Sequence, residues 1–107
     1  MISAKEAREM SEKANDALML EAKKWVKDEL EFIENHILDA IEKGEYRTSY
    51  FWSASIFKGA GIREKDTRVF LRNALEEAGY NCNIRIDKQC SAKRMVVDIN
   101  WEEDDDE

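Results

Sequence analysis

A chain of 107 residues has room for one small domain with a modest core, and 43% hydrophobic residues, with three Trp and three Tyr among them, mark a chain that folds. The net charge of −7 is concentrated: the six acids at 102–107 supply nearly all of it, leaving 17 cations against 18 anions over residues 1–101. That excludes a mimic of nucleic-acid phosphates, which needs acids arrayed over a folded surface. No apolar run exceeds Ala17-Leu18-Met19-Leu20, so no membrane-spanning helix and no secretory leader are expected, and a soluble cytoplasmic protein is. Within the body, residues 1–43 are acidic, with 7 Lys/Arg against 11 Asp/Glu, and residues 44–101 mildly basic, with 10 against 7.

Ser3-Ala-Lys-Glu6 has the form of a capping box, so a helix begins near residue 4. Neither Gly nor Pro interrupts it before Gly44, which supplies the stop. Apolar residues recur at helical spacing through Ala7, Met10, Ala14 and Leu18, then Ala22, Val26, Leu30, Ile33, Ile37 and Ile41. Some 40 helical residues span about 60 Å, far more than a compact domain of this size. The helix therefore breaks, with Asn15-Asp16 the natural place, or packs on another copy of the chain. A second row, Leu18, Trp25 and Phe32, widens the apolar arc toward a second packing partner.

Thr48–Phe57 is rich in aromatic residues and alternates as a strand does, and Gly59-Ala-Gly61 then marks a turn. Asp66 or Thr67 caps a further helix with the stripe Phe70 or Leu71, Ala74, Leu75 and Ala78. Gly79 closes it in the left-handed position, and Tyr80 packs back on Leu75. Two strands follow, with Cys82, Ile84 and Ile86 on the core face of the first and Met95, Val97, Ile99 and Trp101 on the core face of the second. Lys88–Arg94 reads as a long mobile loop between them. The order predicts an α+β domain over residues 1–101, helical over 1–43 and with sheet and later helix over 44–101, its helices on one face of a small antiparallel sheet. Residues 102–107 form a disordered acidic tail.

The chemistry-bearing residues are sparse. His36 is the only histidine, and on a helix only Asp39 stands close enough to share a metal with it, so no metal site and no cofactor are expected. Ser53 and Ser55 lack a nucleophile elbow, and no phosphate-binding glycine loop is present. Cys82 lies on the core face, while Cys90 sits near Lys88, Lys93 and Arg94, whose charge lowers a thiol pKa. Without a constellation of catalytic groups the protein is not expected to be an enzyme. The outward sheet face gathers Asn81, Asn83, Arg85, Asp98 and Asn100. Arginine, amide and aromatic groups together grip phosphate and stack on a base, so Arg68, Arg72, Asn83, Arg85 and Asn100 are the candidate ligand-binding residues. Nucleic acid itself is not an expected partner, because the chain is acidic.

Ile37-x-x-Ala40-x-x-x-Gly44-Glu45, then a strand, then Leu71…Leu75-Glu-x-x-Gly79-Tyr80-Asn-Cys-Asn-Ile, and finally Val97-Asp-Ile99-Asn-Trp101 make a pattern that resembles a broad group of small bacteriophage and prophage proteins. Those end a helix in Gly-Glu, a second helix in Gly-Tyr and a last strand in Ile-x-Trp, and the resemblance covers roughly residues 30–101. It implies a phage accessory protein that counters host immunity by binding, in the cytoplasm of the infected cell. In overall plan the chain also resembles Thoeris anti-defence proteins, which sequester cyclic ADP-ribose-type signals; this implies a nucleotide second messenger as ligand. Two other roles stay open. One is an anti-CRISPR-like inhibitor of a host defence protein, working through the acidic first helix or the tail, and the other is a minor structural protein of the virion. Self-association through residues 4–43 is expected in each case.

Overall fold

The computed structural model describes residues 1–89 and 92–103. In chain order the elements are α1 (Ala4–Glu42), β1 (Arg47–Ser53), α2 (Ala54–Ala60), α3 (Glu64–Glu77), β2 (Asn81–Gln89) and β3 (Ala92–Asn100). They build the expected α+β arrangement, with a three-stranded antiparallel sheet in the order β1-β3-β2. Because β1 and β2 each run antiparallel to β3, they are parallel to one another, and the α2–α3 segment crosses over between the two edges.

The capping box forms: Ser3 Oγ accepts from the Glu6 backbone N–H at 3.1 Å and donates to the Glu6 carboxylate at 3.3 Å. From there α1 runs 39 residues without a break at Asn15-Asp16, and the molecule measures 62 × 35 × 26 Å. Its radius of gyration is 17.2 Å, against about 13 Å for a compact chain of this size. The buried residues of α1 are Ala22, Val26, Ile33, Ile37 and Ala40. The turns before Ala22 carry no buried residue; Asn15, which accepts from Arg63 Nη1, ties them to the domain. Both long helices close alike. The N–H groups of Glu45 and Tyr80 reach back to Ala40 and Leu75, at 2.9 and 3.0 Å, around Gly44 and Gly79 at φ +75° and +96°, a geometry that costs a side chain strain and glycine none.

Thr48–Phe57 does not continue as one strand. It pairs only to Ser53, and Ala54–Ala60 is helical. Alternation explains the switch, since a strand carried on to residue 57 would point Phe57 to the same solvent side as Phe51 and Ser53. The helical turn instead buries Phe57 beside Trp25, with ring centroids 5.2 Å apart. The next helix also starts earlier than Asp66 or Thr67: Arg63 stands at its N-cap. Thr67 is fully buried and donates to the Arg63 carbonyl at 2.9 Å, while Asp66 takes the Arg63 guanidinium. Leu71 and Leu75 form its buried stripe, with Phe70 and Ala74 half-covered beside them. Lys88–Arg94 is not a long loop either. Pairing runs out to Gln89↔Ala92, and the Arg94 guanidinium to Asp87 carboxylate contact, 3.1 Å, secures that end of the hairpin. Cys90 and the acidic residues 104–107 lie outside the described residues.

The register sorts the sheet into two faces. Trp52–Met95–Ile86, Tyr50–Val97–Ile84 and Thr48–Ile99–Cys82 face the helices, and Met95, Val97 and Ile99 of the central strand are wholly buried there with Ile33 and Leu71. Tyr80 and Trp101, their rings edge to face at 5.9 Å, close one end of this core. The other face carries Ser53–Arg94–Asp87, Phe51–Val96–Arg85, Ser49–Asp98–Asn83 and Arg47–Asn100–Asn81. Val96 is buried even there, because the central strand sets it between the larger Phe51 and Arg85.

Candidate functional site

The candidate ligand residues fall on two sides of the sheet. Asn83, Arg85 and Asn100 stand on the outer face as expected. Arg68 and Arg72 belong to α3, which packs over the inner face: Arg72 lies beside the sulfur of the inward-facing Cys82, and Arg68 pairs with Glu64 at 3.9 Å. The sheet separates the two groups, so the five residues make no single site. Periodicity places a residue on a face of its own element but does not say which element covers which face.

On the outer face Arg85 and Arg94 already have anions. Arg85 Nε reaches Asp98 at 3.2 Å and its Nη1 reaches Asp87 at 3.8 Å. Arg94, held by the same Asp87, also lies over the Phe51 ring, 4.8 Å from its centroid. The Ser49 hydroxyl donates to Asp98 at 2.6 Å. That bond, aided by Arg85 and opposed by partial burial, holds the Asp98 carboxyl below the usual carboxylate range. Two cations and two anions compensate each other in this network, and a phosphate would have to displace a carboxylate to reach either arginine.

A different cluster has free cations. Between α1 and α3 lies an open groove of about 960 Å³. Its apolar floor is Leu20, Val26 and Leu30 with Phe70 and Ala74, its α1 wall carries Lys23, Lys24 and Lys27, and its α3 wall carries Asn73, Glu76 and Glu77. None of the three lysines enters an ion pair among the described residues. A helical turn of 3.6 residues sets Lys23 and Lys27, four apart, and Lys24 and Lys27, three apart, as neighbours, so three ammonium groups stand over one apolar trough. The sequence signal was Lys23-Lys24-x-x-Lys27 within an otherwise acidic helix. It reads as an ordinary solvated face until α3 is packed opposite.

The α1–β1 seam holds a chain of rings. Trp25 contacts Trp52 and Phe57 with centroids 5.4 and 5.2 Å apart, Trp52 meets Tyr50 at 4.9 Å, and Tyr50 meets His36 edge-on at 4.7 Å. Trp52 Nε1 donates to the Glu29 carboxylate at 2.6 Å. Burial, helped by the Glu29 charge, pushes the Tyr50 hydroxyl up in pKa, and burial does the same to the Cys82 thiol, with Glu76 adding and Arg72 opposing. His36 serves here as a packing ring, and no cluster of three or more metal-ligating side chains occurs among the described residues. The Ser53 and Ser55 hydroxyls hydrogen-bond each other at 2.9 Å. No helix among the described residues is long and apolar enough to cross a membrane.

No family model, curated protein or solved structure matches the chain. In the α1–α3 groove Lys23, Lys24 and Lys27 converge with Phe70 and Asn73.

Proposed function

We propose that this is a non-enzymatic binding protein that takes up a phosphate-bearing nucleotide derivative in the α1–α3 groove. In the phage setting that the resemblance implies, the ligand is a nucleotide immune signal and the effect is its sequestration. The observation that carries this reading is the convergence of three lysines outside any described ion pair, a half-buried phenylalanine and an asparagine on one apolar floor. Lysine ammoniums neutralise phosphate as point charges. The Phe70 ring offers a base a stacking face, and the Asn73 amide presents both a donor and an acceptor to a base edge. Glu76 and Glu77 would repel phosphate at their own end, but they accept hydrogen bonds from ribose hydroxyls or an exocyclic amine. The ligand is thereby oriented with its phosphates toward α1. Small-ligand sites usually fall between about 300 and 1,000 Å³, so a groove of about 960 Å³ suits a dinucleotide-sized molecule.

Isothermal titration against a panel of cyclic dinucleotides and ADP-ribose derivatives tests the reading. Stoichiometric heat is expected from at least one member, with affinity at least about tenfold weaker after Lys23→Glu with Lys27→Glu, given that a single charge-assisted bond contributes about 1.5–3 kcal/mol. Titrations without heat across the panel would contradict it.

One observation favours a second role, inhibition of a host defence protein. No residue of 4–17 in α1 is fully buried, yet Ala7, Met10 and Ala14 recur at helical spacing, the pattern of an amphipathic segment that docks on a partner. Deleting residues 2–17 would leave groove binding intact and abolish such inhibition.

A further inference from the structure

We infer that β1 is a docking edge for a second copy of the chain, joining two three-stranded sheets into one of six strands about a two-fold axis through Phe51. The two edges of the sheet are built differently. β2 carries Arg85, Asp87 and Lys88, the charges by which exposed edges commonly resist pairing. Beyond Arg47 at its start, β1 lies in Thr48–Phe57, the longest uncharged run in a chain that is 38% charged, and it has neither Pro nor Gly. Phe51 on it is 58% exposed.

The edge is complementary to itself. In antiparallel pairing, residues opposite one another share a face. An axis through Phe51 therefore sets Phe51 against Phe51 on the outer face, Tyr50 against Trp52 on the inner face, and Ser49 against Ser53. Rings meet rings, hydroxyls meet hydroxyls, and no charges of like sign meet.

The helix above β1 fits the same axis. Tyr50 lies beside His36, and Trp52 beside Trp25 and Glu29, so the level of Phe51 on α1 falls between Glu29 and His36. Phe32 stands there, 53% exposed. The two-fold makes the paired α1 helices antiparallel with Phe32 against Phe32, which brings Glu21 of one copy opposite Lys43 of the other and Asp28 opposite His36. Lys43 is already 3.2 Å from Asp39 of its own chain but remains 64% exposed and free to take a second anion. The exposed Phe51, the exposed Phe32 and the Glu21–Lys43 pairing thus point to a single isologous interface.

Sedimentation of the whole chain from about 1 to 100 μM tests the inference; this range brackets the affinities of modest interfaces. A species of twice the chain mass is expected. Phe32→Glu and Phe51→Glu should each weaken it at least about tenfold, because each sets two carboxylates face to face at the axis. Both positions are exposed, and the new side chain at 51 meets Arg94 of its own chain, so circular dichroism and melting should stay as in the parent. Val69→Glu, at an equally exposed apolar position on α3, should leave the dimer unchanged. Glu21→Lys should weaken it a few-fold, and adding Lys43→Glu should restore it. A monomer at 100 μM, a trimer, or a dimer indifferent to both Phe substitutions would overturn the inference, as would failure of the charge swap to restore what Glu21→Lys had lost.

Discussion

Trp52 makes the most demanding contact in the molecule. Its ring is buried between Trp25 and Tyr50, and its one polar atom is matched by a partly buried Glu29 carboxylate 2.6 Å away. Trp52→Phe would keep most of the packing but strip Glu29 of its donor. Urea unfolding should show a loss of about 1–3 kcal/mol, the usual cost of an abandoned buried partner, while Glu29→Gln, which keeps an acceptor, should cost less. Asp98 governs a different dependence. Its folded pKa is depressed, first by the Ser49 hydroxyl and then by Arg85, so its stabilising contribution is complete above the unfolded value of about 3.9 and is lost as pH falls through the lower folded value. Asp98→Asn should therefore flatten the acid limb of the stability curve below about pH 4 and leave the neutral region parallel to the parent. A parent and variant whose curves diverge only above pH 6 would contradict this.

Among the elements, α1 raises the sharpest physical question. Helices shorter than about 12–15 residues are marginal in water without tertiary contacts, and the turns of α1 before Ala22 carry no fully buried residue. Amides of residues 4–17 should exchange with solvent well ahead of those of residues 22–40 in the same helix, and deletion of 2–17 should barely move the melting temperature of the domain. The elements also differ in how far the sequence reveals them. Periodic apolar residues and the Gly44 and Gly79 stops made α1 and α3 readable, and alternation did the same for β2 and β3. The end of β1 was not readable, because Ser53-Ala-Ser-Ile-Phe57 looks equally strand-like. The decision to turn helical comes from Phe57 finding Trp25, more than thirty residues away in the chain. The hairpin end was missed because its Asp87–Arg94 pair is visible only once the register is known.

Over the whole molecule, charge is distributed unevenly among the faces. On the outer sheet face Arg85 and Arg94 are neutralised by Asp87 and Asp98, β1 is uncharged beyond Arg47 at its start, and Lys23, Lys24 and Lys27, outside any ion pair among the described residues, line the α1–α3 groove. The candidate ligand residues taken from the sequence lie on the sheet and on α3; the groove is not legible there, because Lys23 and Lys27 meet Phe70 and Asn73 only after two helices some fifty residues apart have packed. The groove and the β1 edge lie on different sides of α1: Val26 and Leu30 turn toward the groove, whereas Trp25 and His36 turn toward β1. A dimer formed through β1 would leave both grooves open, one per chain, and ligand stoichiometry should stay at one per chain in the Phe32→Glu variant. The most direct test of the groove is an amide and side-chain NMR titration with a cyclic dinucleotide and with ADP-ribose. Shift changes concentrated at Lys23, Lys24, Lys27, Phe70 and Asn73 are predicted for at least one of them. Changes confined to Asn83, Arg85 and Asn100 on the outer sheet, or none with either ligand, would contradict the account.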